Sequence, residues 1–79
     1  MLKVMYFSVI RERIGLKEEE MEFEGTVGEL KKLLKEKHPE VSDLIDRVRF
    51  AVNEEYVDEG YELKGDERVA LIPPVSGGR

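Results

Sequence analysis

The sequence predicts an α+β roll: a mixed sheet with one main helix packed on one face. Two observations carry this. Short runs of alternating apolar and polar residues lie near both ends of the chain, and between them sits one run with helical spacing and a helix-start signature. No linker, repeat or low-complexity stretch divides the 79 residues, so they form one unit with a thin core.

Residues 2–8, Leu-Lys-Val-Met-Tyr-Phe-Ser, are rich in β-branched and aromatic side chains and make the first strand. A side-chain period of two sends Leu2, Val4 and Tyr6 to one face and Lys3, Met5 and Phe7 to the other. Residues 9–14 make a helical turn ending at Gly15. Residues 19–24 alternate with Met21 and Phe23 inward, giving a second strand that returns antiparallel to the first. Thr26 and Glu29 then form a capping box, in which each side chain answers the other's backbone N–H. The helix runs from Val27 to about Lys37, with Val27, Leu30, Leu33 and Leu34 as its apolar stripe and Lys31, Lys32, Lys35 and Glu36 as its wet face. Pro39 stops it, because the residue before a proline is pushed out of helical geometry, and His38 is expected to be a solvated helix-terminal residue. Residues 41–46 make a short second helical piece. Val48 to Asn53 is a third strand, Asn53-Glu54 the turn into a brief strand around Tyr56-Val57, and Arg68 to Ile72 the last strand. Gly60, Gly65 and Asp66 mark loops, which leaves the order β-β-α-β-β-β.

Composition narrows the function. There are 18 acidic against 13 basic residues, a net charge of −5. A negative surface repels phosphate backbones, so no nucleic acid is expected and a basic protein is the favoured partner. No apolar run approaches the roughly 20 residues of a membrane span, and Met1-Leu2-Lys3 is not a signal peptide, so no membrane is expected. The absence of cysteine excludes disulfides and thiolate metal sites and fits a cytoplasmic protein. His38, the single histidine, cannot hold a metal without several carboxylate partners, so no metal is expected.

Nothing in the sequence assembles a catalytic centre of its own. Ser8 and Ser76 have no histidine placed as a base, and the glycines form no phosphate-binding loop. Glu18-Glu19-Glu20 reads as a solvated strand edge and Arg11-Glu12-Arg13 as a wet turn.

Two features ask for more. If Leu2, Val4, Tyr6, Val69 and Leu71 face the helix, then Met5, Phe7, Ala70 and Ile72 face away from it, with no second layer to cover them. A contiguous apolar patch on a small domain marks a protein interface. The second feature is the ending. Residues 1–72 form the domain, and residues 73–79 an extended tail. Pro73 and Pro74 cannot donate to a ladder, so the chain leaves the sheet there. Val75 and Ser76 continue the stem, and Gly77 and Gly78, lacking Cβ atoms, make a tip able to enter a narrow slot. The functional group at such a tip is a carboxylate, which stays unreactive until a partner activates it with ATP.

The opening Leu-Lys-Val-Met-Tyr-Phe, the Arg-Glu-Arg-Ile-Gly turn, the Thr-Val-Gly-Glu-Leu helix start, Ala51-Val52-Asn53, Gly65-Asp66-Glu67 and Ile72-Pro-Pro-Val-Ser-Gly-Gly78 together resemble one family. It is the MoaD-type sulfur carriers, small subunits of molybdopterin synthase, with the ubiquitin-like β-grasp fold. The resemblance implies that an E1-like (MoeB-type) enzyme adenylates the Gly78 carboxylate and that a sulfur donor makes it a thiocarboxylate. The tail, Pro73 to Gly77, would then insert into the large (MoaE-type) subunit of a heterotetramer, with Met5, Phe7, Ala70 and Ile72 docked against it. Sulfur would pass to cyclic pyranopterin monophosphate on the way to the molybdenum or tungsten cofactor. The chain itself would bind no cofactor, ATP being used by the activating partner.

Arg79 departs from that pattern. With Arg79 attached, the Gly78 carboxyl is an amide and cannot be adenylated. A protease that trims it, an expression remnant, and a chain that is never charged are the three explanations, and trimming is preferred. Other functions compatible with the sequence are a ubiquitin-like modifier joined to lysines, a pure interaction module, and a thiamin-pathway sulfur carrier, the last disfavoured by the double proline.

Overall fold

A computed structural model describes residues 1–74, and its first strand, β1 (Leu2–Tyr6), lies near the middle of the sheet. It pairs in parallel with the last strand, β7 (Arg68–Ile72), in a register that sets Met5 beside Ala70. Antiparallel strands extend the sheet both ways: β2 (Glu18–Met21) beside β1, then β4 (Arg49–Val52) beside β7 and β5 (Glu55–Val57) outside it. The order β2-β1-β7-β4-β5 is the expected mixed sheet. A separate two-stranded ladder joins β3 (Gly25–Thr26) to β6 (Glu62–Leu63).

The main helix, α2 (Val27–Lys37), begins at the predicted capping box: the Glu29 N–H donates to Thr26 Oγ1 at 3.1 Å and the Thr26 N–H to Glu29 Oε1 at 2.9 Å. Its Val27, Leu30 and Leu34 are fully buried against Leu2, Val4, Tyr6, Val69 and Leu71 of the sheet. The two periods therefore meet in one core, which Ile10, Ile45 and Phe50 complete.

Several expectations need correction. β1 stops at Tyr6, because Ser8 adopts a left-handed φ of 53° that turns the chain into α1 (Ser8–Ile14). β2 runs over Glu18–Met21, not 19–24; Phe23 leaves the ladder and still packs on the core. Leu33 is exposed, since its position turns it off the stripe of Val27, Leu30 and Leu34. Residues 39–46 split into a 3-10 turn at Pro39–Val41 and α3 (Ser42–Ile45). His38 is not solvated: only 9% exposed, it binds Glu19, which in turn is no part of a solvated edge. Among the described residues, no helix is long and apolar enough to cross a membrane.

Candidate functional site

The candidate site consists of the sheet face turned away from α2 and the root of the tail. Alternation along four adjacent strands builds the face. Met5 of β1, Ala70 of β7, Ala51 of β4 and Tyr56 of β5 stand in one cross-strand row. The two alanines are small and central, so they are nearly buried even though nothing is layered over them. They form the floor of a groove of about 380 Å³, walled by Met5, Phe7, Tyr56 and Ile72. Phe7 is 41% exposed, which is high for a phenylalanine beside a core. All four apolar residues expected to face away thus line one groove. Ala70 is the exception in exposure.

Charges frame this face. Lys3 Nζ lies 3.7 Å from Glu18 Oε2, and Arg68 Nη2 3.5 Å from Glu54 Oε2. The guanidinium of Arg49 lies 4.0 Å above the Tyr56 ring centroid, a cation–π stack. Asn53 and Glu54 hold left-handed φ angles of 49° and 74° in the tight turn between β4 and β5. From there Asn53 Oδ1 accepts the Arg68 N–H at 3.0 Å, tying the turn to the start of β7.

The far end of β7 becomes the tail, and its near end is anchored by Glu67. That buried carboxylate accepts N–H bonds from Lys64, Gly65 and Asp66 at 2.9 to 3.2 Å. Burial would push its carboxyl up, but the backbone donors outweigh it and hold it below the usual carboxylate range. The Glu67 carbonyl also accepts from Lys3 N at 3.0 Å, so the loop is fixed to β1 as β7 begins. In the sequence Glu67 appears only as the last residue of the Gly65-Asp66-Glu67 stretch before the final strand. Its only sequence signal is a carboxylate at the end of a Gly-Asp turn. β7 ends at Ile72, and Pro73 and Pro74 follow it unpaired in any strand. Val75, Ser76, Gly77, Gly78 and Arg79, named above as tail residues, lie outside the described residues.

Elsewhere the chemistry is sparse. Among the described residues no group of three His, Cys, Asp or Glu side chains is arranged to hold a metal ion. A larger cleft between α2 and α3 carries Lys31, Lys35, Asp46 and Glu59, but these already pair with each other, Lys31 with Glu59 at 2.8 Å and Lys35 with Asp46. What the arrangement can do is bind a protein along one apolar face and present the chain that leaves it.

Comparison with known proteins bears on both features. The ThiS family matches residues 4–78, a span that runs through Gly78 and leaves Arg79 outside. The molybdopterin synthase sulfur carrier subunit of Caenorhabditis briggsae is 36% identical over 81 residues, covering 98% of this chain and 96% of that one. A putative molybdopterin converting factor, subunit 1, from Pyrococcus furiosus shares the fold with a TM-score of 0.83 and 33% identity, over 94% of this chain and 97% of its own. A protein–protein complex of subunits 1 and 2 of the molybdopterin-converting factor from Helicobacter pylori contains a chain that matches with a TM-score of 0.73 and 26% identity, over 98% of this chain and 97% of that one.

Proposed function

The chain belongs to the ThiS family, and from that premise we propose that it is the sulfur-carrying small subunit of a molybdopterin synthase, with Gly78 as the residue that carries the sulfur. The observation that carries this is near-full-length similarity to sulfur carrier subunits, beside a ThiS family match that extends to Gly78.

The chemistry follows from what a C-terminal carboxylate lacks. Its oxygen is a poor leaving group, so an E1-like enzyme joins it to the α-phosphate of ATP and releases pyrophosphate. Sulfide, released by the sulfur donor, then attacks the acyl carbon and expels AMP, leaving a thiocarboxylate on Gly78. The thiocarboxylate sulfur attacks a side-chain carbon of the pterin precursor, a C–O bond there breaking and its oxygen departing as the C–S bond forms. Hydrolysis of the resulting thioester leaves the thiol on the pterin and restores the carboxylate. Two such rounds supply the dithiolene that holds molybdenum or tungsten.

This chain's own contribution is delivery. The groove of Met5, Phe7, Ala70 and Ile72 docks the large subunit. Pro73 and Pro74 lead the chain off the sheet, Val75 and Ser76 extend it, and Gly77 and Gly78 bring the acyl carbon to the pterin without side chains in the way. In this reading small and large subunits form a heterotetramer in the cytoplasm, and a protease first removes Arg79. The test is the intact mass of the protein from its own cells. The expected species has lost Arg79 and exchanged one terminal oxygen for sulfur. Conjugates on target lysines, with no thiocarboxylate, would show a protein modifier instead.

A further inference from the structure

The whole chain is acidic, and its outward sheet face carries both signs, with Glu18 and Glu20 of β2 opposite Met5 and Lys3. Three cations belong to that face: Lys3, Arg49 and Arg68. Lys3 and Arg68 have carboxylates of this chain within 4 Å, in Glu18 and Glu54. Among the described residues, Arg49 has none. Its guanidinium is instead held over the Tyr56 ring, and its strand position is directly opposite Ile72, the last residue before the tail.

A guanidinium stacked on an aromatic ring is pre-ordered, weakly hydrated at its faces, and keeps its N–H fork at the edge for a planar acceptor. A carboxylate is the group that fork fits, in two parallel charge-assisted bonds. Arginine and tyrosine are also the residues that most often dominate binding at an interface centre. We propose that Arg49, stacked on Tyr56 at the root of the tail, is an anchor for a carboxylate on the large synthase subunit, fixing the point from which the tail enters. The partner surface would then be apolar where it fills the alanine-floored groove and acidic where it meets Arg49. That sharpens the expectation of a basic partner drawn from the net charge of −5: local charge on the contact face, not the total, selects the neighbouring group.

The inference rests on the proposed partnership with the large subunit, so the experiment reports on the two separately. The full chain is titrated into the large subunit from the same organism by calorimetry, with Arg49→Gln, Arg49→Lys and Arg13→Gln beside the wild type. Arg13 is an exposed cation on α1, which packs on the core side of the sheet. Arg49→Gln is expected to weaken binding about tenfold or more, with Arg49→Lys between it and wild type and Arg13→Gln close to wild type. The salt dependence of Arg49→Gln should be flatter than that of wild type. Wild-type affinity in Arg49→Gln overturns the anchor and leaves the carrier function standing. An equal loss in Arg13→Gln also overturns it, since general charge would then be the cause. No binding by wild type overturns the partnership itself and the anchor with it. Unfolding midpoints of the variants accompany each titration, and an Arg49→Gln variant that folds as wild type yet binds weakly is the supporting result.

Discussion

Nε2 of His38 lies 2.6 Å from Oε2 of Glu19, joining the end of α2 to the edge strand β2 across the rim of the core. Lys37 Nζ stands 3.0 Å from the other Glu19 oxygen, and Glu40 approaches the second ring nitrogen of His38 at 4.0 Å. The His38 ring meets Tyr6 edge-on, with centroids 5.9 Å apart. A proline-terminated helix end would otherwise leave its last turn loose. Here it is clamped by a carboxylate nineteen residues away in sequence.

Acid should weaken that clamp. Burial pushes the Glu19 carboxyl up, but hydrogen bonds and charge from Lys37 and His38 outweigh it and hold Glu19 below the usual carboxylate range. Glu67 is lowered as well, by its backbone donors. A carboxyl lowered on folding stabilises the protein above its unfolded-state value and loses that contribution as pH falls through the folded one. The unfolding midpoint should therefore hold near neutrality and fall below about pH 4, the ordinary carboxylate range. Glu19→Gln should cost about 1–3 kcal/mol at pH 7 and flatten the acid limb. Thermal unfolding of both proteins from pH 7 downward measures this, and parallel curves would sink it.

Tyr6→Phe should go the other way. Tyr6 is 1% exposed, and its hydroxyl makes no hydrogen bond of good geometry among the described residues, although the Glu19 carboxylate lies close by. Burial first, then the charge of Glu19, raises the phenol well above its usual range, which marks a neutral, desolvated hydroxyl. An unsatisfied buried hydroxyl is a liability of about 1–3 kcal/mol, so its removal at constant ring shape should leave the unfolding midpoint unchanged or raise it. A fall of several degrees would mean that the hydroxyl is bonded in solution.

How much of this the sequence disclosed follows the range of the interactions. α2 and β7 were legible to the residue because a capping box, a proline stop and strict alternation are local signals. The outward set Met5, Phe7, Ala70 and Ile72 was legible too, since a period of two assigns faces without knowledge of the partner strand. The burial of His38 and Glu19 was not, because it depends on β2 passing the end of α2, a contact no local window contains. Nor were β3 and β6, which have two residues each and no period to read. The Arg49–Tyr56 stack needed the β4–β5 register.

Filling the groove should separate docking from folding. Ala70→Leu raises its floor, and Phe7→Glu places a charge on a wall residue already 41% exposed. Both leave the α2 side of the sheet untouched, so unfolding midpoints should move little. Binding to the large subunit should drop about tenfold or more for each, as for substitutions at an interface centre. Calorimetric titration decides it; unchanged affinity in both variants would free this face of a docking role.

The sharpest outcome concerns Arg79. Adenylation needs a free carboxylate on Gly78, and in the 79-residue chain that carbon is bonded to the nitrogen of Arg79. No rearrangement of the fold can change this, because it is a matter of covalent structure. The full 79-residue chain should therefore accept no AMP at Gly78 from the E1-like partner, whereas a chain ending at Gly78 should be adenylated and then take up sulfur. Deleting Gly77 and Gly78 as well should abolish sulfur transfer yet preserve docking, since the groove lies on the sheet. Intact-mass measurement after incubation with ATP and the activating enzyme follows all three chains. Equal adenylation of the long and trimmed forms would falsify the requirement for trimming and place the activated carboxylate on Arg79 itself.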